Sequence, residues 1–412
     1  MGKKLKTNSI FRGDCKDIMK QLPKESVDLI YIDPPFFSNR IHEIIWGNGY
    51  ELKAFEDRWK GGIMNYIDWL KERVEPSYDV LKETGSLFLH CDWRADYKIR
   101  NYILDDIFGS EKFLNEIIWK YSVGGRSPKY FPRKHNTIFW YAKGKTWTFN
   151  KDAVSIPRKT GYESFGGRII EEDGKKYQIK VAKSGKEYKY RLDKGKTPED
   201  VWEIQSIQSQ SKERLGYPTQ KPELLLERII KAASNEKDVV FDPMCGGGTT
   251  PAVAYNLNRK FIGIDVSPIA CQVTKKRLED IGAPITVYNM PTTVKELKEM
   301  DPYKFQDWVV ERYSGRVNTK KSGDKGIDGY TNDGVPMQVK RSYGVGRNVV
   351  DNFETAIRRK RKKKGVIVGF SFTETKGGAY EEVKRAKLEE GLEIKLVTVK
   401  ELLNKFLNND FE

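Results

Sequence analysis

Three short stretches of this 412-residue chain carry residue types that could do chemistry. The first is YIDPPF, residues 31 to 36. Two successive prolines fix φ and force a stiff extended turn at a strand end, so the Asp33 carboxylate and the Pro34 carbonyl can point the same way. Two fixed acceptors suit an amino group. An exocyclic NH2 on a base is flat because its lone pair is delocalised into the ring; two hydrogen bonds to its hydrogens favour a pyramidal nitrogen and free the lone pair for attack. Phe36 supplies a ring on which an extruded base can stack. Asp-Pro alone is also ordinary turn chemistry.

The second stretch is FDPMCGGGTT, residues 241 to 250. Its strand ends at Asp242 and Pro243, three glycines let the backbone approach a ligand, and Thr249 opens a helix. Asp265 ends the following strand, 23 residues after Asp242, where a carboxylate can accept both hydroxyls of a ribose. A generic tight βα turn has a similar appearance. The third is GDKGIDGYTNDGVPMQVKRS, residues 323 to 342, in which nine residues separate Asp328 from Gln338, and Lys340 follows two positions later. On neighbouring strands of a hairpin these would offer two oxygen ligands to a hard cation such as Mg2+, with an ammonium beside them.

The elements needed to position these groups are legible. VDLIYID, GSLFLHCD, NEIIWKY, NTIFWYAK, DVVFDP and KFIGID read as strands. Ile63, Tyr66, Ile67, Leu70 and Val74 recur at helical spacing between the first two. TQKPELLLERIIKAAS reads as a helix with Thr219 as its cap and Pro222 in its first turn. From Lys143 to Lys196, turn signals separate short strand-like pieces. Those 54 residues carry 15 Lys/Arg against 7 Asp/Glu, a net +8, half of the chain's +16. This excursion is either a nucleic-acid-reading insertion or a solvated hairpin surface. After residue 297 the pattern restarts with FQDWVVERYSG and strands around GVPMQVKRS, GVIVGFSF and EIKLVTV. We therefore expect two domains, 1–297 and 298–412, with 143–213 as the insertion.

Taken together, FRGDCKDIMKQLPKESVDLIYIDPPFFSNR, GSLFLHCDWR, NEIIWKY, KHNTIFWYAK, DVWEI, GYPTQKPELLLERII, FDPMCGGGTT and FIGIDVSP give the first 290 or so residues a resemblance to the S-adenosylmethionine-dependent DNA amino-methyltransferases. The order of the motifs is that of the permuted, beta-class branch, in which the catalytic turn precedes the target-recognition segment and the cofactor loop comes last. The resemblance implies a Rossmann-like α/β sheet with a β-rich target-recognition insertion. It implies that Asp33, Pro34, Pro35 and Phe36 form the target-base pocket. Asp242, Cys245, Gly246, Gly248 and Thr249 would cradle the methionine part of the cofactor, with Asp265 on the ribose. Asp14 and Cys15 would lie near the adenine ring, and Thr219 and Lys221 would close over the carboxylate end. Met244 stands where Phe is common and Gly247 where Ser is common. Asp rather than Ser at 33 favours adenine N6 over cytosine N4 as a family tendency, and an RNA base is the other alternative. No Pro-Cys pair is present for cytosine C5 chemistry.

Residues 303 to 400 resemble the Mrr-type branch of the PD-(D/E)xK restriction endonucleases, with Gln at the middle position. This implies a second α/β domain in which Asp328, Gln338 and Lys340 would bind Mg2+ and cut DNA. Gln306 occupies the place where a first-helix acid often helps, leaving Asp307 or Glu311 to substitute, so the alternative is a DNA-binding relic. RRKRKKK, residues 358 to 364, reads as a phosphate-contacting helix end or a solvated face.

The composition agrees with a polyanionic partner, expected to be duplex DNA. Four cysteines without a CxxC pair and three scattered histidines argue against a disulfide framework or zinc cluster. No run approaches the ~18 apolar residues of a membrane helix, so a cytoplasmic protein without membrane contact is expected, and a homodimer is compatible with the sequence.

Overall fold

Apolar runs without alternation mark strands covered on both faces. In the computed structural model, β2 (Val27–Ile32) and β12 (Val239–Asp242) are buried almost throughout. The structure describes residues 5–38, 40–46, 50–57, 61–122, 128–156, 168–192, 195–208, 210–217, 219–291, 293–313, 315–318 and 326–408. The chain divides into two compact units, one of Met1–Glu43 and Ala54–Met290, the other of Ile44–Lys53 and Pro291–Glu412.

The first unit begins with β1 (Ser9–Arg12) and β2. It continues with β5 (Leu81–Cys91), β6 (Phe113–Lys120) and β7 (His135–Ala142), while β3 (Arg40–Trp46) and β4 (Tyr50–Asp57) pair as a two-stranded hairpin whose residues 44–53 are counted with the second unit. A separate antiparallel meander contains β8 (Arg168–Glu172), β9 (Lys175–Val181) and β10 (Glu187–Arg191). Then come β11 (Val201–Glu203), β12, β13 (Lys260–Asp265) and β14 (Thr286–Tyr288). Nine of these strands form one sheet in the order β11-β6-β7-β5-β2-β12-β13-β1-β14. All pairings are parallel except those of β7, which runs against both β5 and β6.

β2 and β12 lie side by side, with Leu29 opposite Val240 and Ile30 opposite Phe241, although about 210 residues separate them. The C-terminal ends of β1, β2, β5, β12 and β13 consequently share one edge of the sheet. That is where ligands bind in open α/β folds. The helix Ile63–Val80 covers this half of the sheet with Tyr66, Ile67, Leu70 and Val74, as its periodicity predicts.

One expectation needs correction. Thr219 does not cap the helix after it: the helix is Glu223–Ala233, with Pro222 at the N-cap and no side-chain cap bond. Thr219 instead adopts a left-handed φ of 61°, and the Glu223 N–H is accepted by Glu213 Oε2 at 3.0 Å. Within 143–213, β11 joins the main sheet by pairing with β6. The free-standing β-rich element is the meander between 168 and 191.

The second unit has the sheet order β15 (Arg316–Val317), β16 (Gly329–Tyr330), β17 (Pro336–Val339), β18 (Lys364–Gly369) and β19 (Glu393–Thr398). The helix Pro302–Arg312 buries Phe305, Trp308 and Val309 in one core cluster, and the helix Arg347–Arg359 buries Val350, Phe353 and Ile357 in another. All four cysteines are buried and unbridged. Among the described residues no helix is long and apolar enough to cross a membrane.

Candidate active site

Asp33 follows β2 directly. The chain reverses just beyond it at Phe37, whose φ of 58° is costly for a bulky residue. The Phe37 ring packs 5.7 Å from that of Tyr66, and Tyr66 Oη donates to the Pro35 carbonyl at 2.7 Å. The helix Ile63–Val80 therefore clamps the DPPF turn. One pocket is lined by Asp33, Pro34, Pro35 and Phe36, together with Asp14, Cys15, Thr219, Lys221, Asp242, Cys245, Gly246, Thr249 and Asp265. The two motifs that the sequence separates by 200 residues thus face the same space. Gly248 is not in the lining; it shapes the loop as the left-handed residue before the helix Thr249–Asn256.

Asp33 Oδ2 is ion-paired to Lys221 Nζ, which also donates to the Thr219 carbonyl at 3.2 Å and lies 4.9 Å over the Phe36 ring. Asp33 Oδ1 is buried and accepts no hydrogen bond among the described residues. Burial pushes the Asp33 carboxyl up and outweighs the downward pull of Lys221. Lys221 is thus a partner of the catalytic-turn carboxylate, a contact the motif reading did not anticipate.

The loop after β12 is held from below. Thr274 Oγ1 donates to the Gly246 carbonyl at 2.8 Å, and Arg277 Nη1 donates to Thr249 Oγ1 at 3.0 Å. Arg277 is itself paired to Glu223 at 2.6 Å. A side chain at Gly246 would meet the Tyr217 ring at 3.1 Å, so glycine is required for the close approach as well as for its φ of 49°. Asp265 Oδ2 accepts from Gly246 N–H at 2.9 Å and Oδ1 from Ser267 N–H at 2.8 Å. Burial raises its pKa to about 6, partly offset by those N–H groups. Burial likewise raises Asp242 to about 7 and Cys15 to about 12.

Several lining residues escaped the sequence reading. Asp14 caps the helix Cys15–Met19 and is ion-paired to Arg73, whose guanidinium stacks 4.2 Å over Trp69. Both sit one helical turn apart on Ile63–Val80, beside the apolar stripe, and line the pocket. Behind Asp33, buried His90 bridges Tyr31 Oη (2.8 Å from Nδ1) and Asn136 Nδ2 (2.9 Å from Nε2). Burial holds its pKa well below the ordinary range, so the ring is neutral, and Nδ1 lies 3.8 Å from Asp33 Oδ1. His90 was visible only as one of three scattered histidines.

In the second unit, Asp328 and Gln338 do lie on a hairpin: Asp328 Oδ2 accepts from Val339 N–H at 2.7 Å, and Gln306 Nε2 donates to the Asp328 carbonyl at 3.0 Å. Gln338 is buried with Oε1 unpartnered. Lys340 follows β17, its N–H bonded to the Val368 carbonyl at 2.8 Å. Among the described residues the acidic group whose carboxylates lie within reach of one another is Asp351, Glu354 and Glu382, and Arg347 and Arg385 are ion-paired to it. The basic run 358–364 is not simply a helix end. It passes from the helix through a left-handed Arg361 (φ 54°) into β18, and Arg358 and Lys364 are ion-paired to Glu390 and Glu393.

A mostly parallel nine-stranded sheet with this pocket at the C-terminal ends of its strands is an open α/β fold with its site where such folds bind ligands. The chain belongs to the DNA methylase family, whose profile matches residues 27–276; a restriction endonuclease catalytic-domain profile matches 297–406. Over 276 residues the chain is 32% identical to the DNA adenine methyltransferase YhdJ of Escherichia coli (strain K12), covering 66% of this chain and 82% of that protein. It is 30% identical over 295 residues to the type II methyltransferase M.HpaI of Haemophilus parainfluenzae, covering 71% and 79%. The solved PvuII DNA methyltransferase (cytosine-N4-specific) aligns over 69% of this chain and 96% of that one, at 16% identity and a TM-score of 0.46.

Proposed function

We propose that the N-terminal unit, 1–297 with 143–213 as its target-recognition insertion, transfers a methyl group from S-adenosylmethionine to the exocyclic N6 of adenine in duplex DNA. The observation that carries this reading is Asp33 Oδ1, a buried acceptor without a donor on the wall of the pocket. A target amine supplies that donor, with the Pro34 carbonyl as the second acceptor and Phe36 as the stacking surface. Asp33 and the adenine methyltransferase activity named for YhdJ both favour adenine; the alternative is cytosine N4.

The residues present fit the cofactor. Asp242, Cys245, Gly246, Gly248 and Thr249 form the loop for its methionine part, Asp265 takes the ribose hydroxyls, and Asp14 and Cys15 flank the adenine. Thr219 and Lys221 border its carboxylate end. S-adenosylmethionine supplies an electrophilic methyl on a sulfonium. Asp33 is too weak a base to strip a neutral amine, so the amine attacks with its proton in place, and Asp33 accepts the proton from the far more acidic methylated ammonium. Lys221 opposes the upward push of burial on the Asp33 carboxyl. The test is label transfer from S-adenosylmethionine to duplex DNA in competition with structured RNA; preferential labelling of the RNA overturns the reading.

Asp265 makes the cofactor affinity pH-dependent. Ribose hydroxyls donate to the carboxylate, so the ionised form binds better. Affinity is expected to be constant above pH 7 and to weaken as pH falls through about 6, measured by calorimetry. An Asp265→Asn variant should bind weakly with a flat profile across that range.

For the C-terminal unit we infer a Mg2+-dependent endonuclease built on Asp328, Gln338 and Lys340. The buried, unpartnered Gln338 Oε1 favours it as an oxygen ligand awaiting a cation. DNA cleavage should require Mg2+, stop in EDTA, differ between methylated and unmethylated copies of one sequence, and be lost in Lys340→Ala. Metal-independent nicking or equal cutting by the variant contradicts the assignment.

A further inference from the structure

Between β6 and β7 the described residues are 121–122 and 128–134. The neck of this segment is closed by Tyr121 N–H donating to the Lys134 carbonyl at 3.0 Å. At the neck, Tyr121 Oη donates to Asn136 Oδ1 at 3.2 Å, and Asn136 bridges to His90 and so to the wall behind Asp33. Beyond the neck, Arg133 lies 3.7 Å over the Trp93 ring and 4.9 Å over Tyr130. Trp93 in turn stacks with Arg94, a pocket-lining residue paired to Asp92. This ladder ties the segment to the rim of the pocket. Phe131 is 94% exposed, with Pro132 after it, Pro128 three residues before, and Lys129, Arg133 and Lys134 around it.

A single exposed apolar side chain is ordinary on a protein surface; what sets Phe131 apart is its place, two residues from Arg133 in the ladder that reaches the pocket-lining Arg94. Its neighbours are cations, which attract phosphates. The two prolines stiffen the backbone, so little entropy is lost on insertion. Extruding a base costs a few kcal/mol of lost stacking and pairing, and apolar side chains are known to enter between base steps in duplex DNA.

We propose that Phe131 is the wedge that enters the duplex at the gap left by the extruded target base, while Arg133, Lys129 and Lys134 contact the flanking phosphates. The proposal rests on the reading above of a target amine drawn from duplex DNA into the Asp33 pocket. Phe131 is a positioning residue: it stabilises the opened helix and touches neither the cofactor nor the reacting nitrogen.

The experiment compares methylation of a fully paired duplex with that of the same sequence carrying an abasic site opposite the target, using the full chain. Phe131→Ala is expected to slow the paired substrate at least about tenfold and the pre-opened one by no more than about threefold, with Phe131→Trp restoring the paired rate. With 2-aminopurine at the target position, the fluorescence rise on binding should be lost in Phe131→Ala and kept in Phe131→Trp. Equal slowing of both substrates, or no slowing of the paired one, overturns the wedge. If wild type labels neither substrate, the methyltransferase reading fails first and the wedge falls with it; Phe131 is exposed, so a folding defect in the variant is not expected to intervene.

Discussion

Asp33→Ala is expected to lower methyl transfer at least about a thousandfold, roughly 4 kcal/mol in the barrier, while leaving the dissociation constant for S-adenosylmethionine within about threefold. Losing one preorganised polar partner at a reacting centre costs ~10²–10³ in rate. Asp33 is also the proton acceptor after transfer, which extends the loss. The alanine variant leaves Lys221 buried without its counter-charge, and breaking a buried pair costs about 3–5 kcal/mol of stability. Asp33→Asn separates the two effects: it retains an oxygen acceptor of the same shape and should remain folded by thermal melting, yet transfer should stay at least about tenfold below wild type. A variant lacking Asp33 that keeps more than about a tenth of wild-type turnover removes it from the chemistry.

The second large effect is expected from one methyl group. In Gly248→Ala the new Cβ would lie 2.6 Å from Thr274 Cγ2 and 2.7 Å from its Oγ1, on a backbone held at φ 75°. The left-handed conformation costs an L residue roughly 1–2 kcal/mol, and overpacking a filled site adds about 1–3. Thr274 is buried and holds the Gly246 carbonyl, so it yields only by releasing the loop. Cofactor affinity should fall at least about 30-fold, since 1.4 kcal/mol is tenfold. Combining Gly248→Ala with Thr274→Ala relieves the overlap but keeps the φ strain and loses the bond to the Gly246 carbonyl, and should recover only part of the loss. An unchanged dissociation constant in the single variant would show that the loop is not the cofactor cradle.

Local chemistry was readable along the chain because it repeats at short range. The alternating units, the stripe Tyr66, Ile67, Leu70 and Val74, and the hairpin carrying Asp328 and Gln338 all follow from periodicities of two and 3.6 residues. The site's two halves were legible as motifs, but their meeting was carried only by family resemblance. Nothing local says that β2 pairs with β12 across some 210 residues. Supports that act over such distances were missed for the same reason: Thr274 and Arg277 beneath the glycine loop, Arg73 against Asp14, and His90 behind Asp33 look like ordinary core or surface residues in the sequence. Thr219 misled because a Thr-x-x-Pro before an apolar run imitates a helix start. Its carbonyl is used by Lys221 instead, and a distant Glu213 satisfies the helix's first N–H.

The most direct measurement of the central claim is the identity of the product nucleoside. Duplex DNA incubated with the full chain and methyl-labelled S-adenosylmethionine is digested to nucleosides and resolved by mass. The account predicts that the label is recovered as N6-methyldeoxyadenosine, from wild type and not from Asp33→Ala. Recovery as N4-methyldeoxycytidine, or N6-methyldeoxyadenosine formed equally by the variant, would contradict it.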